Sequence, residues 1–167
     1  MRYMARDVEN TVKTGNIQCI SFYLGEEEFA LDILNVREII RVPDITRVPG
    51  SPEFIDGVLN LRGRVIPVIN LHRRFGFPQS SAGRKNRIIV LETEGELIGI
   101  KVDAVKEVTF LTPETIKESP EILSNLDTQY IAGIAQHEER LIILVDSYAI
   151  LSADQLRAVQ ELSPANQ

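Results

Sequence analysis

The sequence predicts an all-β protein made of two copies of one small, roughly five-stranded unit, followed by a C-terminal helix. Three observations favour this fold. Short apolar runs rich in Val and Ile are separated by turn residues, a pattern typical of strands in sandwiches and barrels. The two halves of the chain also match each other in sequence. Only the segment after Ser152 has apolar residues at helical spacing.

Ten apolar runs have the length of β-strands. They lie at residues 17–24, 29–33, 36–42, 58–61, 65–71, 88–91, 97–102, 105–111, 130–135 and 141–145. A tight turn at Arg62-Gly63 separates the fourth and fifth runs, and another short turn separates the last two, so both pairs predict β-hairpins. Pro67 in the fifth run has no N–H to donate, which predicts an edge position or an irregularity there.

The two ends of the chain are predicted to differ from the middle. Residues 1–15 are polar and of mixed charge, which indicates a flexible N-terminal tail. Residues 152–167 combine a capping box with an apolar helix face. The residues of these two patterns are Ser152, Gln155, Leu156, Val159 and Leu162. We therefore expect a C-terminal helix that packs back on the β-structure.

An internal repeat relates the two halves. With an offset of 69 positions residues 31–39 overlie 100–108, and with an offset of 76 residues 54–69 overlie 130–145. The clearest matches are Leu31 with Ile100, Ile33 with Val102, Val36 with Val105, Glu38 with Glu107, Phe54 with Tyr130 and Gly57 with Gly133. One unit of this size has a marginal core, whereas two packed units share a larger interior and leave a groove where they meet. The halves differ at Arg62-Gly63, which makes this turn a candidate for a task of the first half alone.

Composition narrows the possible functions. The net charge of −6 argues against nucleic acid or an anionic membrane as the main partner. The single cysteine, Cys19, excludes an intrachain disulfide and is expected to be a buried small side chain in a reducing compartment. No signal peptide and no apolar run near 18 residues is found, so we expect a soluble, cytoplasmic protein.

The residues that chemistry would need do not form a recognisable constellation. The sequence has no glycine-rich phosphate loop, no GxSxG nucleophile motif and no metal-ligand spacing. Its two histidines, His72 and His137, are interpreted as ordinary surface residues. We expect no catalytic residue, no cofactor and no metal, although a scattered Ser–His–acid triad in a small hydrolase stays open.

A nucleic-acid-binding small barrel is a second alternative. Phe75 and Phe77 lie near a local basic stretch that begins at Arg73. Stacking aromatics beside basic residues are what single-stranded nucleic acid requires, but the overall acidity disfavours this function.

Four segments resemble the CheW family of chemotaxis coupling proteins. They lie at residues 29–39, 57–71, 99–105 and 141–146, and the second reads Gly-Val-Leu-Asn-Leu-Arg-Gly-Arg-Val-Ile-Pro-Val-Ile-Asn-Leu. The resemblance extends over about residues 17–151. It implies two Src-homology-3-like five-stranded β-barrels around a shared core, in one domain at 16–151 with intertwined segments at about 16–80 and 81–151. The loop at 79–83 is the predicted boundary between them.

The resemblance also implies a function without catalysis. Proteins of this family are adaptors that bind the regulatory domain of the histidine kinase CheA and the cytoplasmic tip of methyl-accepting receptors. We therefore expect a cytoplasmic scaffold recruited to membrane-associated receptor arrays, with no nucleic acid and no membrane insertion. A related adaptor of a non-flagellar pathway, such as twitching motility, is the alternative within the family.

Matching residues to the family predicts a receptor-binding groove between the barrels. Its residues are Ile20, Ile33, Val36, Glu38, Ile39, Val105 and Val108. An amphipathic receptor helix would bury its apolar stripe on them. Apolar residues at strand alternation are equally typical of plain core, and Glu38 either pairs with a polar receptor residue at the rim or is solvated.

Two further groups follow from the family motif. Gly57 and Gly63 are expected to serve backbone geometry, and Arg62 either orders the neighbouring surface, meets a partner carboxylate or is an exposed basic tip. For the kinase, the matching residues are Val42, Asp44, Ile45 and Thr46 in the first barrel and Lys117 and Ile122 in the second. An ordinary solvent-exposed loop is the alternative for both kinase segments.

Overall fold

The structure is a computed structural model that describes residues 16–76, 85–93, 95–117 and 130–150. The predicted tail at 1–15, the predicted boundary loop at 79–83, Ile122 and the predicted C-terminal helix at 152–167 lie outside the described residues.

The described residues are mainly β-structure, as the sequence predicts. All ten predicted strands are confirmed, and a two-residue strand, β9, is added. The strands are β1 (Ile17–Leu24), β2 (Glu27–Asp32), β3 (Val36–Arg41), β4 (Ile55–Leu61), β5 (Arg64–Asn70), β6 (Arg87–Thr93), β7 (Glu96–Val102), β8 (Ala104–Leu111), β9 (Ile116–Lys117), β10 (Ile131–His137) and β11 (Arg140–Val145). Two short helices are α1 (Leu71–Phe75) and α2 (Ser147–Ile150), and single 3₁₀ turns are η1 (Ile33–Asn35) and η2 (Pro113–Thr115).

The strands form two sheets that close into barrels. The first barrel is the five-stranded sheet β3-β6-β7-β5-β4, closed where Thr46, in the chain that leaves β3, pairs with Val58 on β4. The second barrel is the sheet β8-β1-β2-β11-β10-β9, whose end strands β8 and β9 follow each other along the chain. The two barrels therefore exchange strands between the two halves of the sequence, since β1 and β2 join β8 to β11.

Apolar side chains fill three regions. One core lies inside each barrel, and Cys19 is fully buried in that of the second, as predicted. The third and largest core takes side chains from both barrels, among them Phe22, Phe29 and Ile89, so the expected shared core is confirmed. Three stacked or tilted ring pairs run through it from Phe22 to Tyr130.

The repeat is confirmed at the corner where each hairpin meets its helix. The N–H of Asn70 donates to the carbonyl of Phe54 at 2.7 Å, and the N–H of Asp146 donates to that of Tyr130 at 2.8 Å. Asn70 and Asp146 then cap α1 and α2 with their side chains. The guanidinium of Arg74 lies 4.1 Å from the ring centroid of Phe54 and 4.4 Å from that of Tyr130, so one cation joins the two equivalent aromatics.

Pro67 lies in an interior strand, so the prediction of an edge position is wrong. β5 pairs with β4 on one side and with β7 on the other, where pairing begins at Val68. The N–H and C=O of Val58, which is opposite Pro67, both bond to Thr46 at 2.8 Å. Pro67 and Val58 therefore exchange no hydrogen bond, and the missing N–H removes nothing from this ladder.

Candidate partner-binding surfaces

The predicted groove residues all lie on or beside the shared core, but at different depths. Ile20 belongs to that core and is only 5% exposed, so for Ile20 the plain-core alternative is confirmed. Ile33, Val36 and Val105 are half-buried and pack against the same core. They mark the place where η1 and β3 of one barrel and β8 of the other approach it.

Ile39 and Val108 form the exposed part of this surface. Val108 lies opposite Ile20 in the β1–β8 ladder and is 48% exposed. Ile39 lies opposite Ile89 in the β3–β6 ladder and is 39% exposed. Opposite residues of a ladder share a face, so both side chains continue the shared core out to the solvent. We call Ile33, Val36, Ile39, Val105 and Val108 the groove surface.

Two exposed apolar residues beside the groove surface were not anticipated. Phe110 is 54% exposed and lies two residues beyond Val108, on the same face of β8. Strand alternation was sufficient to find it. Leu34 is 70% exposed in η1, and a 3₁₀ turn directly after β2 leaves no alternation from which its exposure could be inferred.

Glu38 and Arg62, predicted separately, form one bidentate ion pair. Nη1 of Arg62 lies 3.2 Å from Oε1 of Glu38, and Nη2 donates to Oε2. The pKa of the Glu38 carboxyl is held below its ordinary value, chiefly because it accepts these hydrogen bonds. The pair joins the tip of the β4–β5 hairpin to β3, beside the groove surface.

The geometry of the hairpin turn places Arg62 for this contact. Arg62 and Gly63 have φ of +47° and +88°, as in the two-residue turns that join antiparallel strands. The N–H of Gly63 donates to Oδ1 of Asn60 at 2.8 Å, which stabilises the turn. A Cβ at Gly63 would meet no atom within 4 Å, so only its backbone conformation favours glycine.

Gly57 has a different role, which connects it to the predicted kinase segment. Its φ is +149°, and a Cβ there would lie 2.2 Å from the carbonyl oxygen of Thr46. The chain at Thr46 can pair with β4 only because Gly57 has no side chain. Gly57 therefore matters for backbone geometry because it lets Ile45 and Thr46 approach β4 closely.

The segment that leaves β3 combines buried and exposed side chains. Val42 and Ile45 are half-buried and pack against the core of the first barrel, with Ile40 and Leu61 beside them. Asp44 and Thr46 are exposed. In the second barrel, exposed Lys117 on β9 pairs with β10 in the same way, opposite Ile134.

Ionic groups elsewhere are structural. Glu28 is 6% exposed and contacts Arg140, with Nε 3.1 Å from Oε1, and Lys106 at 3.5 Å. His72 is buried, so its interpretation as a surface residue is wrong, and its Nε2 lies 2.9 Å from Oδ1 of Asp103. Within the described ranges, no three His, Cys, Asp or Glu side chains are grouped as metal ligands. None of the helices in these ranges is long and apolar enough to span a membrane.

Comparisons with known proteins agree with this fold. The model of the CheW-like domain matches residues 18–155. Chemotaxis protein CheW of Klebsiella aerogenes is 38% identical over 145 residues, which cover 87% of each chain. A probable chemotaxis protein CheW of Rhizobium etli is 35% identical over 148 residues, 89% of this chain and 96% of that protein. The crystal structure of the scaffolding protein TtCheW from Thermoanaerobacter tengcongensis is similar with a TM-score of 0.75 at 36% identity, covering 83% of this chain and 90% of that one. From its sequence and its fold, the chain belongs to the family of proteins with a CheW-like domain.

Proposed function

We propose that this protein is a non-catalytic adaptor that couples methyl-accepting chemotaxis receptors to the histidine kinase CheA in the cytoplasm. The observation that carries the proposal is the groove surface, where the shared core of two barrels reaches solvent at Ile39 and Val108. Exposed apolar surface that continues a core is typical of a protein-binding site. A chemotaxis adaptor needs such a site for the receptor and a second, separate one for the kinase.

The receptor side of the proposal rests on the shape and polarity of the groove surface. An amphipathic helix from the cytoplasmic receptor tip would lay its apolar stripe between η1–β3 and β8, in contact with Val36, Ile39 and Val108. Phe110 extends this surface along β8. Glu38 is adjacent to Ile39 on β3 but lies opposite Val90 of the first-barrel core, and its ion pair with Arg62 would hold β3 beside the receptor helix.

The kinase side of the proposal rests on the segment 42–46. It lies at the closing seam of the first barrel, with the half-buried side chains of Val42 and Ile45 next to exposed Asp44 and Thr46. The regulatory domain of CheA would pack against this end. Lys117 is the corresponding position of the second barrel and is proposed as a further contact in receptor arrays, together with Ile122.

The experiment measures both contacts with one set of variants. Calorimetry would give the affinity for the cognate CheA regulatory domain, and co-sedimentation would give the affinity for a receptor cytoplasmic fragment. We expect Val108→Glu to lose receptor binding at least tenfold while kinase binding is kept, because it places a charge in the apolar contact. Leu141→Glu, at another exposed apolar residue outside the groove surface, is the matched control.

Three results would contradict the proposal. The first is the absence of saturable binding to the kinase domain. The second is unchanged receptor binding in Val108→Glu. The third is an equal loss in Leu141→Glu, which would mean that any charge on an exposed apolar residue acts non-specifically. An adaptor of a twitching-type pathway is less favoured, because the relatives described above are chemotaxis proteins and match this chain over most of their length.

A further inference from the structure

The first barrel and the rest of the chain carry opposite charge. The stretch 33–102, within which η1 and the strands of the first barrel lie, contains eleven Lys and Arg and seven Asp and Glu, a net charge of +4. The remaining residues contain seven Lys and Arg and seventeen Asp and Glu, a net charge of −10, which accounts for the total of −6. Charge separated in this way orients a charged partner before contact.

The positive charge includes arginines around an apolar centre at one end of the first barrel. The centre consists of Ile40, Val42, Ile45 and Leu61, which are half-buried and pack on the same barrel core. Exposed arginines adjoin them: Arg41 and Arg47 flank the closing segment, Arg62 follows Leu61, and Arg64 lies opposite Leu61 in the ladder. We call these eight residues the arginine-rimmed end.

Neighbouring acids neutralise only part of this rim. Glu38 is bound to Arg62, and Arg37, outside the rim, holds Glu92 at 2.8 Å. Within the part of the chain that the structure describes, no ion pair involves Arg41 or Arg47, and Asp44 is the acid between them in sequence.

A second feature of the rim also favours an anionic partner. Arg41 lies directly opposite Arg87 in the β3–β6 ladder. The exposed guanidinium of Arg41 therefore adds to a positive potential at this edge of the sheet, which would attract a negative group on a partner.

We infer that the arginine-rimmed end binds a protein surface that has an apolar centre and an acidic rim. The inference rests on the adaptor function proposed above and specifies the chemistry of the kinase-side partner. Protein interfaces have an apolar centre within a polar rim, and arginine is enriched in them. Complementary charge at such a rim fixes orientation and accelerates association more than it raises affinity.

The composition of the centre argues for a protein and against a nucleic acid. Its four residues are aliphatic, whereas single-stranded nucleic acid needs aromatic side chains on which bases stack. The charge of −10 on the rest of the chain would also repel a long polyanion. A compact partner with local acidic groups can reach the rim without approaching the second barrel.

The test is the rate of association with the CheA regulatory domain, measured by surface plasmon resonance between 50 and 400 mM NaCl. We expect Arg47→Glu and Arg41→Glu each to lower the association rate roughly tenfold at low salt, with the difference from wild type shrinking as salt screens the charges. Arg73→Glu, an exposed arginine on α1 outside the rim, changes the net charge equally and is the control. Ile45→Glu tests the apolar centre and is expected to abolish binding.

Other results would contradict the acidic rim, the adaptor function or the choice of partner. If Ile45→Glu loses binding but neither salt nor the two rim variants affects it, the partner has no acidic rim, while the adaptor function stands. If wild type does not bind the CheA domain, both the acidic rim and the adaptor function are contradicted. If wild type shifts a single-stranded oligonucleotide at low salt and Arg41→Glu does not, the rim binds nucleic acid. If wild type self-associates at 20 mM NaCl and Arg41→Glu does not, the rim binds a second copy of the chain.

Discussion

In both barrels an ion pair connects a hairpin to a neighbouring strand, but the arginine comes from a different position of the hairpin. In the first barrel, Arg62 within the turn binds Glu38 on β3. In the second barrel, Arg140 directly after the turn lies 3.3 Å from Glu107 on β8, and the repeat places Glu107 on Glu38. The fold thus keeps this link while the residues that form it change.

The two links differ in what surrounds them. The side chain of Arg62 is 69% exposed and has Glu38 as its ion-pair partner among the described residues. Arg140 is 31% exposed and also reaches Glu28, which is almost completely buried. Both links reach solvent, but Arg140 also contacts buried Glu28, so exchanging the second link for an intermolecular contact would disturb a buried carboxylate, whereas exchanging the first would not.

The largest expected effect is a difference in stability between substitutions at two equivalent pairings, Thr46 with β4 in the first barrel and β9 with β10 in the second. Gly57→Ala should lower the free energy of unfolding by about 3 kcal/mol, because its φ is positive and the new Cβ would overlap the backbone oxygen of Thr46. Gly133→Ala should cost less, about 2 kcal/mol, because Gly133 has no positive φ in this range and the nearest backbone atom, the oxygen of Lys117, would lie 2.9 Å from the new Cβ rather than 2.2 Å. Urea unfolding measures both, and equal losses would show that the two pairings are under the same constraint.

The next largest effect is expected at Glu28, the buried carboxylate that Arg140 contacts. Glu28→Gln should destabilise the protein by roughly 1 to 3 kcal/mol, because Arg140 and Lys106 lose the carboxylate that both contact. Glu27→Gln, at an exposed position directly before it, should leave thermal unfolding unchanged. If the two variants melt together, Glu28 does not organise this network.

A smaller, stabilising effect is expected at the second hairpin turn. Glu138 and Glu139 adopt φ of +50° and +67°, which side chains other than Gly, Asn and Asp disfavour. Glu139→Gly would copy Gly63 of the first turn and should raise the stability by about 0.5 to 1 kcal/mol, after the entropy that glycine adds to the unfolded chain is included. Thermal unfolding is the measurement, with Glu139→Ala as the control that removes the charge and keeps the strain.

The smallest effect is a pH dependence of the first link. The pKa of Glu38 is lowered by Arg62, so the link stabilises the folded state above the ordinary value of 4.5 and loses this contribution as pH falls through the folded pKa. Arg62→Gln should therefore be less stable than wild type near neutral pH and approach it in acid. An NMR titration should show the Glu38 pKa rising in Arg62→Gln but not in Arg64→Gln.

The strands could be predicted from sequence because one face of each is buried. Runs such as β1 alternate or stay apolar over most of their length, and the first hairpin turn contains Gly63, which tolerates positive φ. The repeat then supplied the two-unit architecture. Strand β9 is only two residues long and has no periodicity, which explains why it was missed.

The contacts of the candidate site were less predictable. The residues Glu38 and Arg62 were singled out, but their pairing was not, because they are far apart in sequence and meet only when the first barrel closes. The exposure of Val108 and Ile39 likewise follows from their position at the margin of the shared core. Alternation alone gives the same pattern for Ile20, which is buried.

The order of strands has a consequence for synthesis of the chain. All strands of the first barrel lie between Val36 and Val102, so this barrel can close as soon as those residues have left the ribosome. The hairpin β1–β2 emerges earlier, yet its neighbours β8 and β11 begin only at Ala104 and Arg140. The edge of β1 can be covered once β8 has emerged, but the edge of β2 must wait until the chain is almost complete, which exposes the N-terminal hairpin to aggregation and to chaperone binding during translation.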